Sequence, residues 1–289
     1  MKLKVSITGA LLVLTIIVIS VGSIGINVVS AYQGAAVACP NKYIHDQWPW
    51  DTPDEIEFST HCCYYIYSYL DEHYDPGPVA IRYGDPIWYT QPPVTAQTYM
   101  DGLDYLEANA DAATIVSKGH GTPWGYGGIY RKLLCTYGDA ARDSIEIYPH
   151  TGQQPGQFKC RFNFIWHCGS ANTYPYYPPW PPDGPPGLPF AFTHNVGMDK
   201  YGDYDNSGSR VFVGWNWVSP QFFNVIPDHA PWQWGQLAVA IFNYMHYDEL
   251  SLRDTLENLS LDIYGTYFVY SPLYNDLIVW GNMDMTLDF

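Results

Sequence analysis

Two residues that can carry out acyl-transfer chemistry follow apolar stretches of this sequence. His120 comes after "TIVSKG", and Cys168 comes after "FNFIWH", 48 residues further on (168 minus 120). The carboxyl ends of parallel strands meet at one edge of a sheet, so two such strands would bring the imidazole and the thiol together. An imidazole can activate a thiol that attacks a carbonyl carbon. The pattern therefore predicts a cysteine–histidine dyad.

Small residues surround both members of this pair. Gly119 and Gly121 would let the backbone approach a substrate carbonyl closely, and Gly169 with Ser170 would keep the approach to the thiol open. The backbone amides of Gly121 and Cys168 would then be placed to donate hydrogen bonds to an oxyanion.

A zinc site is the competing interpretation of the same residues. His120, His167 and Cys168 are all zinc ligand types, and zinc accepts such a set in tetrahedral geometry. Neighbouring residues of a strand, however, project to opposite faces, so His167 and Cys168 would not share one ion easily.

Disulfides are the usual state of cysteines in an exported protein. Adjacent Cys62 and Cys63 cannot easily pair with each other, and Cys39 is their nearest candidate partner. Cys135 and Cys160 flank an insertion that their pairing would close as a loop. Spacing alone leaves the connectivity open.

A candidate calcium site lies in "DKYGDYDNSG", residues 199–208. Asp203 and Asp205, with Asp199 before them, resemble the opening of a calcium loop, although Gly214 stands where the bidentate acid of an EF-hand belongs. The alternative is a turn rich in Asp, Asn and Gly that precedes a strand. Structural calcium is the only cofactor that the sequence suggests, and the dyad needs none.

The N-terminus has the pattern of a targeting segment. Lys2 and Lys4 precede an apolar stretch from Val5 to about Val29, which the small-residue sequence "VSA" follows. We expect residues 1–31 to be a cleaved signal peptide or an uncleaved N-terminal anchor. The rest of the chain would then be secreted or exposed at the cell surface, with an anchor as its link to the membrane.

The charge balance disfavours nucleic acid as a partner. The 289 residues include 13 Lys and Arg against 29 Asp and Glu, for a net charge of −16. Phosphate backbones are bound by clustered Lys and Arg, which this composition does not supply. The glycine-rich "GHGTPWGYGG" also lacks the GK[ST] of a nucleotide-binding P-loop. An acidic surface favours basic peptides or cations instead.

Alternating helix and strand patterns indicate the fold class. Amphipathic helices are expected at 95–110, 230–250 and 251–265, while 57–74 fits a helix or a strand. Strands are expected at 79–83, 112–121, 159–168, 210–218 and 276–282. The insertion 122–159 is expected to contain a short helix at about 130–142 and a strand, "SIEIY". The order predicts one α/β domain with a mainly parallel sheet flanked by helices.

The order, spacing and strand context of the two motifs resemble the caspase-like cysteine peptidases, which include caspases, legumains, clostripain and gingipains. Downstream, "RVFVGWNWVSP" and "LIVWGNMDMTL" are similar to the strand after the cysteine and to the closing strand of the gingipain-like branch. The resemblance covers roughly residues 79–289. Residues 32–78 are either an N-terminal extension or the start of the core.

The resemblance implies a caspase-like three-layer sandwich and a secreted or surface endopeptidase that acts on peptide or protein substrates. Cys168 would be the nucleophile that forms a thioester, His120 the acid and base, and Gly121 an oxyanion donor. Cleavage after a basic residue fits the acidic composition. His167 departs from the small residue usual before the family's cysteine. The alternative is therefore an inactive caspase-like fold that serves as a surface structural or binding protein.

Overall fold

The structure is a computed structural model that describes residues 33–39, 52–75, 79–81, 95–124, 130–134, 140–151, 160–172, 187–194, 198–203 and 208–288. The expected signal or anchor, Cys135 and Asp205 lie outside these ranges. In the described ranges, no helix is both long enough and apolar enough to span a membrane.

The described strands, in chain order, are β1 (Gln33–Ala38), β2 (Val79–Ile81), β3 (Ala112–Lys118), β4 (Gly121–Trp124), β5 (Tyr130–Leu134), β6 (Ala140–Arg142), β7 (Cys160–Trp166), β8 (Val211–Trp215) and β9 (Leu277–Gly281). The main sheet has the order β2-β1-β3-β7-β8-β9. Its strands are parallel except for β9, which runs antiparallel to β8. The prediction of a mainly parallel α/β sheet is confirmed.

The central strands of this sheet are buried on both faces. Every residue of β3 and β8 is buried, and in β7 only Arg161 is partly exposed. Central parallel strands have this property because helices cover both sides of them, which is why "TIVS" and "FNFIW" are continuous rather than alternating apolar runs.

The described helices are α1 (Pro53–Tyr74), α2 (Ala96–Asn109), α3 (Tyr148–His150), α4 (Leu188–Thr193), α5 (Trp234–Tyr247), α6 (Leu252–Tyr264) and α7 (Leu273–Asp276). Six of them form two packing groups. In one, α1 packs on β1 and α5, and α5 packs on α6; in the other, α2 packs on β1 and α3, and α4 packs on β7 and β8. This arrangement is consistent with a three-layer sandwich.

Helix α1 resolves the ambiguity of residues 57–74 in favour of a helix. The Thr52 side chain accepts a hydrogen bond from the Glu55 amide at 3.2 Å, and Pro53 occupies the first turn. A threonine cap followed by proline is a strong signal for a helix start. Proline has no backbone N–H, but in the first turn that N–H would have no hydrogen-bond partner within the helix.

Strand β1 shows how residues before position 79 enter the fold. It lies between β2 and β3 and pairs in parallel with both, with Ala35 opposite Val79 and Thr114. The described part of the segment 32–78 therefore supplies an interior strand and a 22-residue helix.

The insertion after β4 differs from its predicted secondary structure. Instead of a helix, residues 130–142 include the strands β5 and β6, which form an antiparallel three-stranded sheet with β4. Instead of a strand, residues 144–147 of "SIEIY" lie in a π-helical turn, Asp143–Ile147, and Tyr148 begins α3. Glu146 accepts hydrogen bonds from the backbone and guanidinium of Arg142, and buried Asp143 accepts the Gly187 amide at 2.8 Å. These side-chain bonds favour the turn over an extended strand.

An aromatic cluster fills the interior beneath the carboxyl ends of β7 and β8. The ring of Trp166 lies 4.6 Å from that of Trp215 and 4.9 Å from that of Phe222, and Trp215 is 5.6 Å from Trp234. Each edge-to-face aromatic pair at such a distance stabilises the fold by about 0.5–1.5 kcal/mol beyond the contribution of burying its apolar surface. Three of the 11 tryptophans therefore stabilise the edge of the sheet where the dyad is expected.

The Gly214→Ala substitution tests the packing between β8 and the turn after β7. A Cβ atom on Gly214 would lie 2.6 Å from Ser170 Oγ and 3.1 Å from the Ala171 nitrogen. We expect the free energy of unfolding to fall by about 2–3 kcal/mol, because a packed interior accommodates an added methyl group poorly. Urea unfolding followed by tryptophan fluorescence measures this.

Gly265→Ala is the matched control. Gly265 has φ of +67° but open space around its Cβ position, so the loss there should be about 1 kcal/mol, from backbone strain alone. Equal losses in the two variants would contradict the packing argument.

Candidate active site

The register of β3 and β7 brings the two predicted dyad residues to one edge of the sheet. Lys118 is paired with Trp166, and His120 and Cys168 each follow two residues later. The Gly119 amide donates to the Trp166 carbonyl at 3.2 Å, which continues the pairing past the end of β3. The His120 imidazole lies close enough to the Cys168 thiol to lower the pKa of that thiol. The structure thus brings together the two residues that the sequence predicts.

A tight turn presents Cys168 at the end of β7. Gly169 has φ of +62°, a conformation that glycine adopts without strain. The buried Ser170 hydroxyl donates to the Ile165 carbonyl at 2.7 Å and accepts the Trp215 amide at 3.0 Å. The Ser170 side chain therefore joins the turn to β8 and fixes the position from which Cys168 projects.

The surroundings of Cys168 favour its thiolate. Burial acts to raise the pKa of this thiol, but hydrogen bonds from His120 and from Ser219, together with the charge of His120, outweigh burial and lower the pKa from 9.0 to about 7. A thiolate is the nucleophilic form of cysteine, so a substantial fraction of Cys168 is reactive at neutral pH.

Gly121 lies directly against the backbone of Cys168. A Cβ atom at this position would be 2.5 Å from the Cys168 carbonyl oxygen and 3.2 Å from the His167 Cβ, so only glycine fits. In the described part of the chain, the Cys168 amide donates to no acceptor. The backbones of Gly121 and Cys168 are thus in contact, and the role of their amides as oxyanion donors stays a prediction.

His167 is a fully buried hydrogen-bonding residue beneath the dyad. Its Nδ1 lies 2.7 Å from the His120 carbonyl oxygen and must donate to it, while Nε2 lies 2.8 Å from Ser117 Oγ and accepts the hydroxyl proton. Burial and the charges of Lys118 and His120 lower the pKa of His167 to about 3, although the hydrogen bond to His120 opposes this. The neutral ring therefore holds the backbone of His120 in place.

Ser219 contacts the thiol, and the sequence analysis did not identify it. Its amide nitrogen lies 3.4 Å from Cys168 Sγ, and its hydroxyl oxygen lies 3.5 Å from the same atom. Ser219 follows β8 at the same edge of the sheet as His120 and Cys168. The sequence shows that Ser219 follows a third buried strand, but serine is so common in loops that this position alone does not predict a contact with the thiol.

The structure describes every residue of the alternative zinc site but only two of the three aspartates of the calcium site. Within the described ranges, no group of three or more His, Cys, Asp or Glu is placed to hold a metal ion. His167 instead satisfies both ring nitrogens with Ser117 and His120. Asp199 and Asp203 are exposed, and the calcium site that they would form with Asp205 stays a prediction.

The cysteines that the structure describes are all free thiols, and all but Cys168 are buried. The disulfide expected between Cys39 and the pair Cys62 and Cys63 is not formed, and neither is the expected bond of Cys160 to Cys135. Cys63 instead hydrogen-bonds Cys39 as a thiol. In these positions the cysteines pack as small apolar residues in the core.

Comparison with models of known protein families gives no match, and comparison with curated proteins gives none.

The neutral state of buried His167 predicts acid instability. Because its pKa is about 3 in the folded protein and about 6.5 in an unfolded chain, the unfolded state binds more protons between these values. The stability that neutral His167 provides is present above pH 6.5 and is lost as the pH falls toward 3. At pH 4.5 the loss should be about 2–3 kcal/mol.

The comparison is between wild type and His167→Gln, by urea unfolding at pH 7.5 and pH 4.5. The variant should be less stable at pH 7.5 but should lose about 2–3 kcal/mol less than wild type on acidification. Ser117→Ala is the control, since it removes one hydrogen bond and keeps the titrating ring. An unchanged pH slope in His167→Gln would contradict the assignment.

Proposed function

We propose that the protein is an exported cysteine endopeptidase of the caspase-like class. The observation that carries this proposal is the Cys168 thiol, which hydrogen-bonds both His120 and Ser219 and whose pKa is lowered to about 7. A buried thiol without such partners has a raised pKa, as burial causes for Cys62, whose pKa is about 12. Cysteine activated in this way is typical of peptidases and other acyl-transfer enzymes.

The mechanism follows from the positions of these groups. The Cys168 thiolate attacks the carbonyl carbon of the scissile peptide bond, and the oxyanion that forms accepts hydrogen bonds from the amides of Cys168 and Gly121. His120 protonates the departing amine as the bond breaks, which leaves a thioester on Cys168. His120 then takes a proton from water, and the resulting hydroxide hydrolyses the thioester.

The caspase-like assignment draws on the sheet order and the position of the dyad. Five parallel strands followed by one antiparallel strand, with His120 after β3 and Cys168 after β7, fit the architecture that the sequence resemblance implies. His167, the residue that departs from the family pattern, is buried and hydrogen-bonds Ser117 and the His120 carbonyl. Its bulk therefore gives no reason to consider the fold inactive.

A substrate with a basic residue before the scissile bond fits the net charge of −16. Long-range attraction raises the encounter rate of basic peptides with an acidic protein. We propose Arg or Lys at this position, in a peptide or protein outside the cell.

Peptide cleavage by variants of the dyad tests this function. Cys168→Ala should abolish hydrolysis of a peptide library, and His120→Gln should lower kcat by about 10²–10⁴-fold, because the leaving amine loses its proton donor. The measurement is mass-spectrometric detection of cleaved peptides. The library includes Arg, Lys, Asp, Asn and Leu before the scissile bond.

Cys160→Ser is the control for loss of a thiol, since Cys160 is a buried residue of β7 that lies away from His120. It should keep the wild-type cleavage rate if it folds. If wild-type protein cleaves no peptide in the library while Cys168 still reacts with iodoacetamide, the inactive surface-protein alternative gains support. Cleavage that survives in Cys168→Ala would exclude the thioester mechanism.

A further inference from the structure

Glu55 is a buried carboxylate that is hydrogen-bonded to the loop beside the thiol. It lies in the first turn of α1, in the part of the chain that the family resemblance does not cover, and only 3% of its surface is exposed. Its Oε1 accepts the Phe222 amide at 3.0 Å, and its Oε2 accepts the Phe223 amide at 2.7 Å. Ser59 donates its hydroxyl to Oε1 at 2.8 Å and orients the carboxylate further.

The loop that Glu55 holds is the one that carries Ser219, and we refer to residues 216–223 as the Ser219 loop. The loop is held at its proline and shortly after it: Trp166 Nε1 donates to the Pro220 carbonyl at 2.8 Å, and Glu55 accepts the amides of Phe222 and Phe223. Ser219 itself donates to Cys168 Sγ through its amide at 3.4 Å. The position of this donor therefore depends on how firmly the loop is held.

Lys118 balances the charge of Glu55. Its Nζ lies 3.2 Å from Glu55 Oε1 and 5.1 Å from the centre of the Phe222 ring, and both ion-pair side chains are more than nine-tenths buried. Burying one such charge alone is strongly unfavourable, so the two residues depend on each other. Since Lys118 ends β3 two residues before His120, the pair joins α1, β3 and the Ser219 loop.

We propose that Glu55 is a positioning residue for Cys168, which acts by holding the Ser219 loop so that Ser219 donates hydrogen bonds to the thiolate. Glu55 does not contact the thiol itself. Its contribution to catalysis rests on the proposed peptidase function, but its effect on the ionisation of Cys168 does not.

The test is the pH dependence of Cys168 alkylation in Glu55→Gln. The glutamine amide has the same shape as the carboxylate, but it has one acceptor oxygen instead of two. Its NH2 group would face one of the two backbone amides that Glu55 now accepts. The loop should loosen, because the carboxylate that accepts both of its amides is lost. We expect the midpoint of alkylation to rise by about one pH unit and the rate at pH 7 to fall about fivefold.

The measurement is the rate at which iodoacetamide modifies Cys168, followed by peptide mass spectrometry between pH 5.5 and 9.5. Ser219→Ala is the reference, because it removes the hydroxyl donor directly and should shift the midpoint in the same direction. Glu257→Gln is the matched control. Glu257 Oε2 also accepts a loop amide, that of Phe268 at 2.7 Å, but it lies on α6, and its variant should keep the wild-type midpoint.

The outcomes separate this inference from the proposed function. A folded Glu55→Gln protein with the wild-type midpoint overturns the inference, and so does an equal shift in Glu257→Gln, which would indicate general destabilisation. A shifted midpoint in a protein that cleaves no peptide supports the inference and contradicts the peptidase. If Glu55→Gln does not fold, Ser59→Ala replaces it and should give a smaller shift of the same sign; an unshifted midpoint there overturns the inference.

Discussion

The parallel alignment of β3 with β7 is the constraint on which the site depends. Parallel strands run in the same direction, so the pairing of Lys118 with Trp166 places the residues that follow the two strands side by side at one edge of the sheet. His120 and Cys168 both lie two residues past that pair. A slip of one residue in either strand would turn each side chain to the opposite face of the sheet and would separate the imidazole from the thiol. The buried apolar side chains of both strands resist such a slip.

Strand register places the backbones of His120 and Cys168 at one edge of the sheet, and buried polar groups beneath this edge hold them there. His167 binds the carbonyl of His120 and the hydroxyl of Ser117, so one neutral ring spans the ends of β3 and β7. Ser170 does the same between β7 and β8. Buried polar groups of this kind are stable only when each is fully hydrogen-bonded, and they then hold a geometry that apolar packing alone would leave variable.

The sequence predicts the strands and the dyad because these features are local. Continuous apolar runs identify β3 and β7, and each run ends in a residue whose chemistry is visible in the sequence. Strand β1 was missed because "QGAAVA" contains few of the β-branched and aromatic residues that mark strands. The turn at Asp143–Ile147 was missed because a bond to Gly187, far along the chain, helps to determine it. Glu55 could not be predicted for the same reason, since its partners at positions 222 and 223 come close only in the folded protein.

The ion pair of Glu55 with Lys118 bears on whether residues 32–78 form a removable pro-segment or part of the core. Removal of this segment would take β1 out from between β2 and β3, where it pairs with both. It would also leave Lys118 buried without its carboxylate partner and release two amides of the Ser219 loop. The last two of these losses fall on the edge of the sheet that carries the thiol. The described residues of this segment are therefore part of the domain that holds Cys168.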